Sequence, residues 1–243
     1  MSNQPLQINC DLGEGVSGEN KILPWIDAAS VACGGHYGDE PSIRKTLKEC
    51  RLAGVKVGAH PSYPDRENFG RKSMEIPFHK LKTSLIDQIQ LFEKVLKESE
   101  MNFDHIKFHG ALYNDAAKNP DLAAKLTEFL AEYYPSIPVL VPPFSEMERA
   151  ARVAGLITRR EIFGDRSYQS DFKLLERSEP KALLTDFELV NHQLESIFDS
   201  GCLISVSGDR LDVQADTICF HGDNPGVQQF LPRIRKKYWD PKP

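Results

Sequence analysis

No apolar run in this chain of 243 residues approaches the roughly 20 residues that a membrane-spanning helix needs. Met1 to Leu6 hold neither a charged lead segment nor an apolar one behind it, so no secretory signal is expected. Cysteine is scarce and odd in number: Cys10, Cys33, Cys50, Cys202 and Cys219, with no Cys-x-x-Cys spacing. That excludes a disulfide framework and points to free thiols in a reducing compartment, with the cytoplasm as the simplest location. Positive charge is not in excess either. The formal net charge is -5, which gives no electrostatic reason to expect nucleic acid or an anionic membrane as partner. The one short basic run, Arg233, Arg235, Lys236 and Lys237, reads as a solvated helix end. Also missing are the phosphate loop Gly-x-x-x-x-Gly-Lys-Ser/Thr, the zinc spacings His-x-x-His and His-Glu-x-x-His, and the nucleophile elbow Gly-x-Ser-x-Gly. Gly13-Glu14-Gly15-Val16-Ser17-Gly18 has the bare Gly-x-Gly-x-x-Gly spacing, which by itself is a weak phosphate-loop signal. The chain therefore carries no P-loop and no serine-nucleophile signature.

What is present is an ordinary globular balance, 40% hydrophobic and 27% charged, at a length that suits one α/β barrel. Short apolar runs alternate with amphipathic ones. Strands are expected at Leu6–Asp11, Ala28–Cys33, Val55–Ala59, Asp104–Phe108, Ile137–Val141, Thr158–Phe163 and Thr217–Phe220. Helices are expected at Pro41–Ala53, stopped by Gly54, at Pro77–Glu98, Asp121–Glu132, Phe187–Ser200, and from the cap Ser145 to Ala154. Cys202–Ser207 and Leu211–Val213 flank Gly208-Asp209-Arg210 as a small hairpin, and Asn224 starts a closing helix. Repeated strand–helix units imply a parallel sheet with right-handed crossovers. About seven such units fill this length as a single α/β domain over 1–243.

The polar residues favour a closed barrel over an open sheet. Asn9 and Asp11, His36, His60, Lys107 with His109, and His221 with Asp223 all fall at carboxyl ends of expected strands. In a parallel barrel those ends converge on one face, where catalytic groups collect. One histidine there is most often a hydrogen-bonded loop residue; four at equivalent positions favour function for the set. His79, His105 and His192 fall elsewhere, where solvated or capping roles are expected. Lys107 and His109 share a side by strand alternation, and a buried lysine there needs an acid partner, Asp11 among the candidates, or a bound anion. Asp11 and Glu14 flank a glycine turn and suit general acid–base work or a cation. Asp165 and Arg166 follow the sixth strand; Arg166 suits two-pronged binding of a carboxylate or phosphate, against the plainer reading of a salt bridge between neighbours. A mixed metal site from Asp11, His36 and His60 is also available.

Longer blocks carry a resemblance. Asn9-Cys10-Asp11-Leu12-Gly13-Glu14, Ala32-Cys33-Gly34-Gly35-His36-Tyr37-Gly38-Asp39, Gly58-Ala59-His60-Pro61-Ser62-Tyr63-Pro64-Asp65, Phe69-Gly70-Arg71, Lys107-Phe108-His109-Gly110-Ala111-Leu112-Tyr113, Glu161-Ile162-Phe163-Gly164-Asp165-Arg166-Ser167-Tyr168 and His221-Gly222-Asp223-Asn224-Pro225-Gly226 closely resemble the signature blocks of the LamB/YcsF family. They run in the family's order from about Ile8 to Gly226.

The resemblance implies a seven-stranded parallel β/α barrel of the glycoside hydrolase/deacetylase-like kind. It also implies the A-subunit role in an ATP-dependent 5-oxoprolinase, working with subunits B and C on a small lactam and using ATP with Mg. The stable five-membered amide explains the ATP: phosphorylating the amide oxygen makes an electrophile that water can attack. The expected catalytic residues are Asp11, His60, Lys107 and His109. The expected substrate contacts are Glu14, His36, Arg71, Asp165, Arg166, His221 and Asp223. Two departures stand out. Gly35 occupies a position where a larger residue, often Phe, is expected, which suggests a roomier pocket, and Ser170-Asp171-Phe172 replaces an Asp-Gly pair. Two other readings are carried along: a metal-dependent deacetylase or carbohydrate hydrolase of the same fold, and an accessory that only binds lactam or partners.

Overall fold

A computed structural model describes residues 6–240. Seven strands close into a parallel barrel: β1 (Gln7–Leu12), β2 (Ala28–Ala32), β3 (Lys56–His60), β4 (Phe103–Ile106), β5 (Val139–Val141), β6 (Thr158–Phe163) and β9 (Thr217–Cys219). Their central residues are buried on both faces, which is why they read as apolar runs and not as alternating ones. β9 completes the ring. Its Thr217, Ile218 and Cys219 pair with Glu161, Ile162 and Phe163 of β6 on one side and with Gln7, Ile8 and Asn9 of β1 on the other. β7 (Cys202–Ile204) and β8 (Arg210–Asp212) form the antiparallel hairpin expected from the turn Gly208-Asp209 and stand outside the barrel.

The outer layer is α1 (Glu40–Ala53), α2 (Phe78–Glu98), α3 (Gly110–Lys118), α4 (Pro120–Tyr133), α5 (Glu146–Val153), α6 (Phe187–Ser200) and α7 (Val227–Tyr238). Local chemistry fixes their ends. Asp39 and Ser42 form a reciprocal capping box at the start of α1, and Gly54 ends it in the left-handed conformation, φ 70°. Asn119, Ser145 and Asp186 cap α4, α5 and α6 through side-chain oxygens. In α2 the stripe Leu81, Leu85, Ile89, Phe92 and Leu96 is buried against the barrel as its spacing predicts.

Helix α3 was not legible. It starts directly after His109, has no side-chain cap and is nine residues long, so neither a start signal nor a long periodicity marks it. His105 also departs from expectation. It is neither solvated nor capping but fully buried in the barrel wall, bonded to Ser30 Oγ and Asp104 Oδ2, both at 3.0 Å. Gly58 makes the room: a Cβ there would lie 2.5 Å from the His105 ring. The basic run of α7 is only partly solvated, since Arg235 reaches Asp27 at 2.8 Å and Lys237 reaches Glu195 at 2.9 Å. All five cysteines are buried and free. No helix among the described residues is long and apolar enough to cross a membrane.

Candidate active site

The carboxyl ends of the strands converge on one cavity of about 620 Å³, in the range of small-molecule sites. At its floor Lys107, immediately after β4, lies 2.8 Å from Asp11 Oδ1 at the end of β1 and 3.1 Å from Glu161 Oε1 on β6. All three are buried. Burial alone would push the Lys107 ammonium toward its neutral form, but the acids beside it, Asp11 first, outweigh burial and raise its pKa well above the ordinary value. Asp11 moves the opposite way: burial opposes its ionisation, yet His60 and Lys107 hold its carboxyl well below the usual range. This pair is therefore charged. The Glu161 oxygens lie close to Lys107, yet neither is aligned with a hydrogen-bond donor among the described residues.

Above the floor stand Glu14, His36, His60 and His109, one donor atom from each lying within 4.8 Å of the others. Glu14 Oε1 is 3.0 Å from His36 Nε2 and 3.3 Å from His109 Nδ1, while His109 Nδ1 is 3.0 Å from His60 Nε2. His36 and His109 stack at 3.6 Å, with Phe69 edge-on to both. Burial drops the His36 pKa to about 3 and lowers that of His109. Burial would do the same to His60, but the charge and hydrogen bond of Asp11 raise it. Glu14 is held well below the usual range, because the facing imidazoles of His109 and His36 outweigh the cost of burial. This group has the donor atoms and spacing that could hold a metal ion. It differs from the expected Asp11–His36–His60 trio: His36 and His60 belong to it, Glu14 and His109 join, and Asp11 stands beside it, with Oδ1 on Lys107 and Oδ2 3.5 Å from His60 Nε2.

Around the mouth, Asp165 after β6 is fully buried. It accepts from the His221 backbone N–H at 3.0 Å and lies 2.8 Å from His221 Nδ1, whose ring stacks on Phe163. Asn224 fixes the same carboxylate with a third hydrogen bond at 2.9 Å. Asp223 accepts from Arg177 through both oxygens, at 2.7 and 3.1 Å, and from Arg71. Arg166 lines the cavity, but its Nε and Nη2 donate to the carbonyls of Ala182 and Leu175. Neither a salt bridge to a neighbour nor a free two-pronged grip describes it. Burial and the charge of Arg177 lower its pKa to about 10.

The expected residues gather at one end of the barrel, but His36 and Asp165 are buried behind the cavity and do not line it. Two that matter were missed, Glu161 and Arg177. Glu161 was readable in principle as a lone carboxylate in a core strand, facing the barrel by alternation. Arg177 sits in an irregular loop after Tyr168 and has no periodicity to place it. The roomier pocket expected at Gly35 is not there. A Cβ on Gly35 would lie 2.4 Å from both Gln88 Oε1 and Ser62 Oγ, so buried polar side chains fill the space a larger residue would take. Phe172, in place of the expected glycine, adopts φ 65°, the left-handed conformation that glycine takes without strain.

The model of the LamB/YcsF family matches residues 6–240. Among solved structures, the lactam utilization protein of Thermus thermophilus is similar over 96% of this chain and 96% of its own, with 30% identity and a TM-score of 0.88. An Enterococcus faecalis protein provisionally assigned to cellobiose-phosphate cleavage is similar over 97% of this chain and 89% of its own. At 16% identity and a TM-score of 0.55 it shares the fold alone.

Proposed function

Because this chain belongs to the LamB/YcsF family, we propose that it is the lactam-opening component of an ATP-dependent 5-oxoprolinase, acting on 5-oxo-L-proline with partner subunits B and C and Mg-ATP. The observation that carries the reading is the cavity itself. It offers a charged acid–base pair at its floor, an oriented histidine at its wall and two arginines sharing one carboxylate at its mouth. With no phosphate loop in this chain, the nucleotide chemistry falls to the partners.

The roles follow from the contacts. Asp11, kept ionised by Lys107 and His60, is the base that takes a proton from water, with His60 the neighbouring alternative. The ammonium of Lys107 holds the phosphoryl oxygens carried by the activated amide oxygen, while addition of water, its proton going to Asp11, shifts the electron pair onto the ring nitrogen. His221, its Nδ1–H held by Asp165, acts as the imidazolium: its Nε2 proton goes to the ring nitrogen as the carbon–nitrogen bond breaks, and the neutral imidazole left behind takes a proton back from solvent. Arg71 and Arg177 carry two positive charges against the one of Asp223, which leaves a net cation for the substrate carboxylate.

The test is glutamate release from 5-oxoproline and Mg-ATP by the chain with subunits B and C, against the same mixture lacking it. Release only when the chain is present, lost in Asp11→Ala, supports the reading; no release from competent partners sinks the substrate assignment. The cluster Glu14, His36, His60 and His109 favours a second reading, a metal-dependent hydrolase of another amide or ester such as an acetylated sugar, which a substrate panel with and without chelator would separate.

A further inference from the structure

Two histidines in the cavity face each other with the wrong ends. His60 Nδ1 is 2.8 Å from the Lys107 carbonyl oxygen, and His109 Nε2 is 2.9 Å from the Phe69 carbonyl oxygen. A carbonyl only accepts, so each of those nitrogens must carry its hydrogen. The remaining nitrogens, His60 Nε2 and His109 Nδ1, then present lone pairs to one another at 3.0 Å. Both also look toward Glu14 Oε1, at 3.9 and 3.3 Å, and that oxygen in turn faces His36 Nε2 at 3.0 Å. Converging acceptors of this kind call for something positive between them.

We infer that Glu14, His36, His60 and His109 bind a single divalent transition-metal ion of borderline softness, Zn²⁺ foremost. Three imidazoles and one carboxylate suit such an ion and do not suit Mg²⁺ or Ca²⁺, which take oxygen. The spacing suits it too. Four donors arranged tetrahedrally at roughly 2.0–2.1 Å from an ion stand roughly 3.3 Å apart, and the observed separations of 3.0, 3.3 and 3.9 Å bracket that value. The backbone carbonyls behind His60 and His109 are the outer partners that fix a ligating imidazole's tautomer. His36 has no such partner, its Nδ1 being unbonded among the described residues, and relies on its stack against His109.

Charge balance argues in the same direction. Asp11, Glu14 and Glu161 are buried around one ammonium, that of Lys107. Carboxylates thus outnumber ammonium groups at this spot, and a divalent cation would offset the excess. Glu14, His60 and His109 line the cavity, so the ion would be approached from the substrate side. The inference deepens the site assigned above, yet it stands whichever amide or ester that cavity accepts.

A single proton between His60 and His109 would also satisfy their facing nitrogens, and the experiment must remove that alternative. Wild-type chain, purified without chelator, is assayed for bound metals, then stripped and titrated with Co²⁺. Expected are about one equivalent of metal per chain, a visible Co²⁺ ligand-field band, and a melting temperature raised by added Zn²⁺. Outer partners of metal ligands are worth roughly 10–100-fold in affinity, so losing a ligand in His60→Ala or His109→Ala should cost Co²⁺ affinity more than that. His192→Ala, on α6 and outside the cluster, should bind as wild type does. A folded wild-type chain, checked by circular dichroism, with no metal above the buffer blank, no Co²⁺ band and no thermal shift overturns the inference in favour of the proton. So does full retention of metal by the His60→Ala/His109→Ala double variant. Metal without lactam turnover supports the ion and sinks the 5-oxoproline assignment; lactam turnover by a chain that takes up neither Zn²⁺ nor Co²⁺ does the reverse.

Discussion

Lys107 Nζ stands 2.8 Å from Asp11 Oδ1 and 3.1 Å from Glu161 Oε1, a single ammonium holding two acids that reach it from different barrel strands. Removing one partner of a buried ion pair typically costs about 3–5 kcal/mol, because an uncompensated charge is left behind. Lys107→Met should lose stability of about that size in urea unfolding. Lys107→Met/Glu161→Gln should recover part of it, since one of the two stranded acids is then neutral. Equal stability for the single and double variants would show that Glu161 carries no charge in the fold.

A second expectation concerns Asp165 and His221. Asp165 sets the His221 ring through Nδ1 and holds it again through the backbone N–H. Asp165→Asn keeps the shape but removes the negative charge that favours the His221 imidazolium, and with it the proton-donating form of the ring. Correctly poised general acid–base groups are worth about 10²–10⁴ in rate. The expected result is a fall in kcat toward that size with KM little changed, read in the reconstituted lactam assay. A change confined to KM would make Asp165 a binding or structural group.

The mouth yields a third. Arg177 grips Asp223 with two hydrogen bonds while Arg71 holds the same acid from the other side. If the net positive charge receives the substrate carboxylate, Arg177→Gln should raise KM for 5-oxoproline about tenfold, the scale of one charged hydrogen bond. The same ring without its carboxylate should be a poor substrate whose KM the variant leaves unmoved. An equal rise for both ligands would assign Arg177 to the architecture of the loop.

These residues also mark what a sequence can and cannot reveal. Strands such as β6, Thr158–Phe163, and helices with strong caps such as α6, Phe187–Ser200, lie where pattern and caps place them. The convergence of His36, His60, His109 and His221 followed from one topological rule about strand ends. Pairing across the barrel did not. Lys107 and Glu161 are far apart in the chain, and nothing local says that β6 turns Glu161 toward Lys107 and not toward the helix layer. The expected metal trio took in Asp11 and left out Glu14 and His109 for the same reason: no local signal says that Glu14 reaches both His36 and His109 while Asp11 is shared between Lys107 and His60.

Gly35 supplies a further test of packing. Its missing side chain is replaced in space by Gln88 and Ser62, which also bond to each other through Ser62 N–H and the Gln88 amide oxygen at 2.9 Å. Gly35→Ala should cost about 1–3 kcal/mol by overpacking, measured as a lower urea midpoint with unchanged slope. Gly35→Ala combined with Gln88→Ala should recover part of the loss if Gln88 is the obstruction. Unchanged stability in the single variant would mean the Gln88 amide swings away without penalty.

The last expectation is a pH dependence seated away from the cavity. His105 is buried between Ser30 and Asp104, and burial lowers its pKa more than the hydrogen bond and charge of Asp104 restore it. The folded chain therefore keeps His105 neutral at a pH where the unfolded chain, with its histidine near pKa ~6.5, has already taken up a proton. Below about pH 6.5 the unfolded state binds more protons, so stability falls as pH falls, until the folded pKa is reached and the loss levels off. One proton sets the ceiling at about 1.4 kcal/mol per pH unit. His36 and His109, also lowered by burial, contribute with the same sign, so the wild-type slope alone does not isolate His105. His105→Gln can still donate to Asp104 but cannot titrate. Urea unfolding across pH 7.5 to 4.5 should give a shallower decline for the variant than for wild type, by no more than one proton's worth. Parallel declines would mean that His105 is protonated in the fold and that Asp104, not burial, decides its charge.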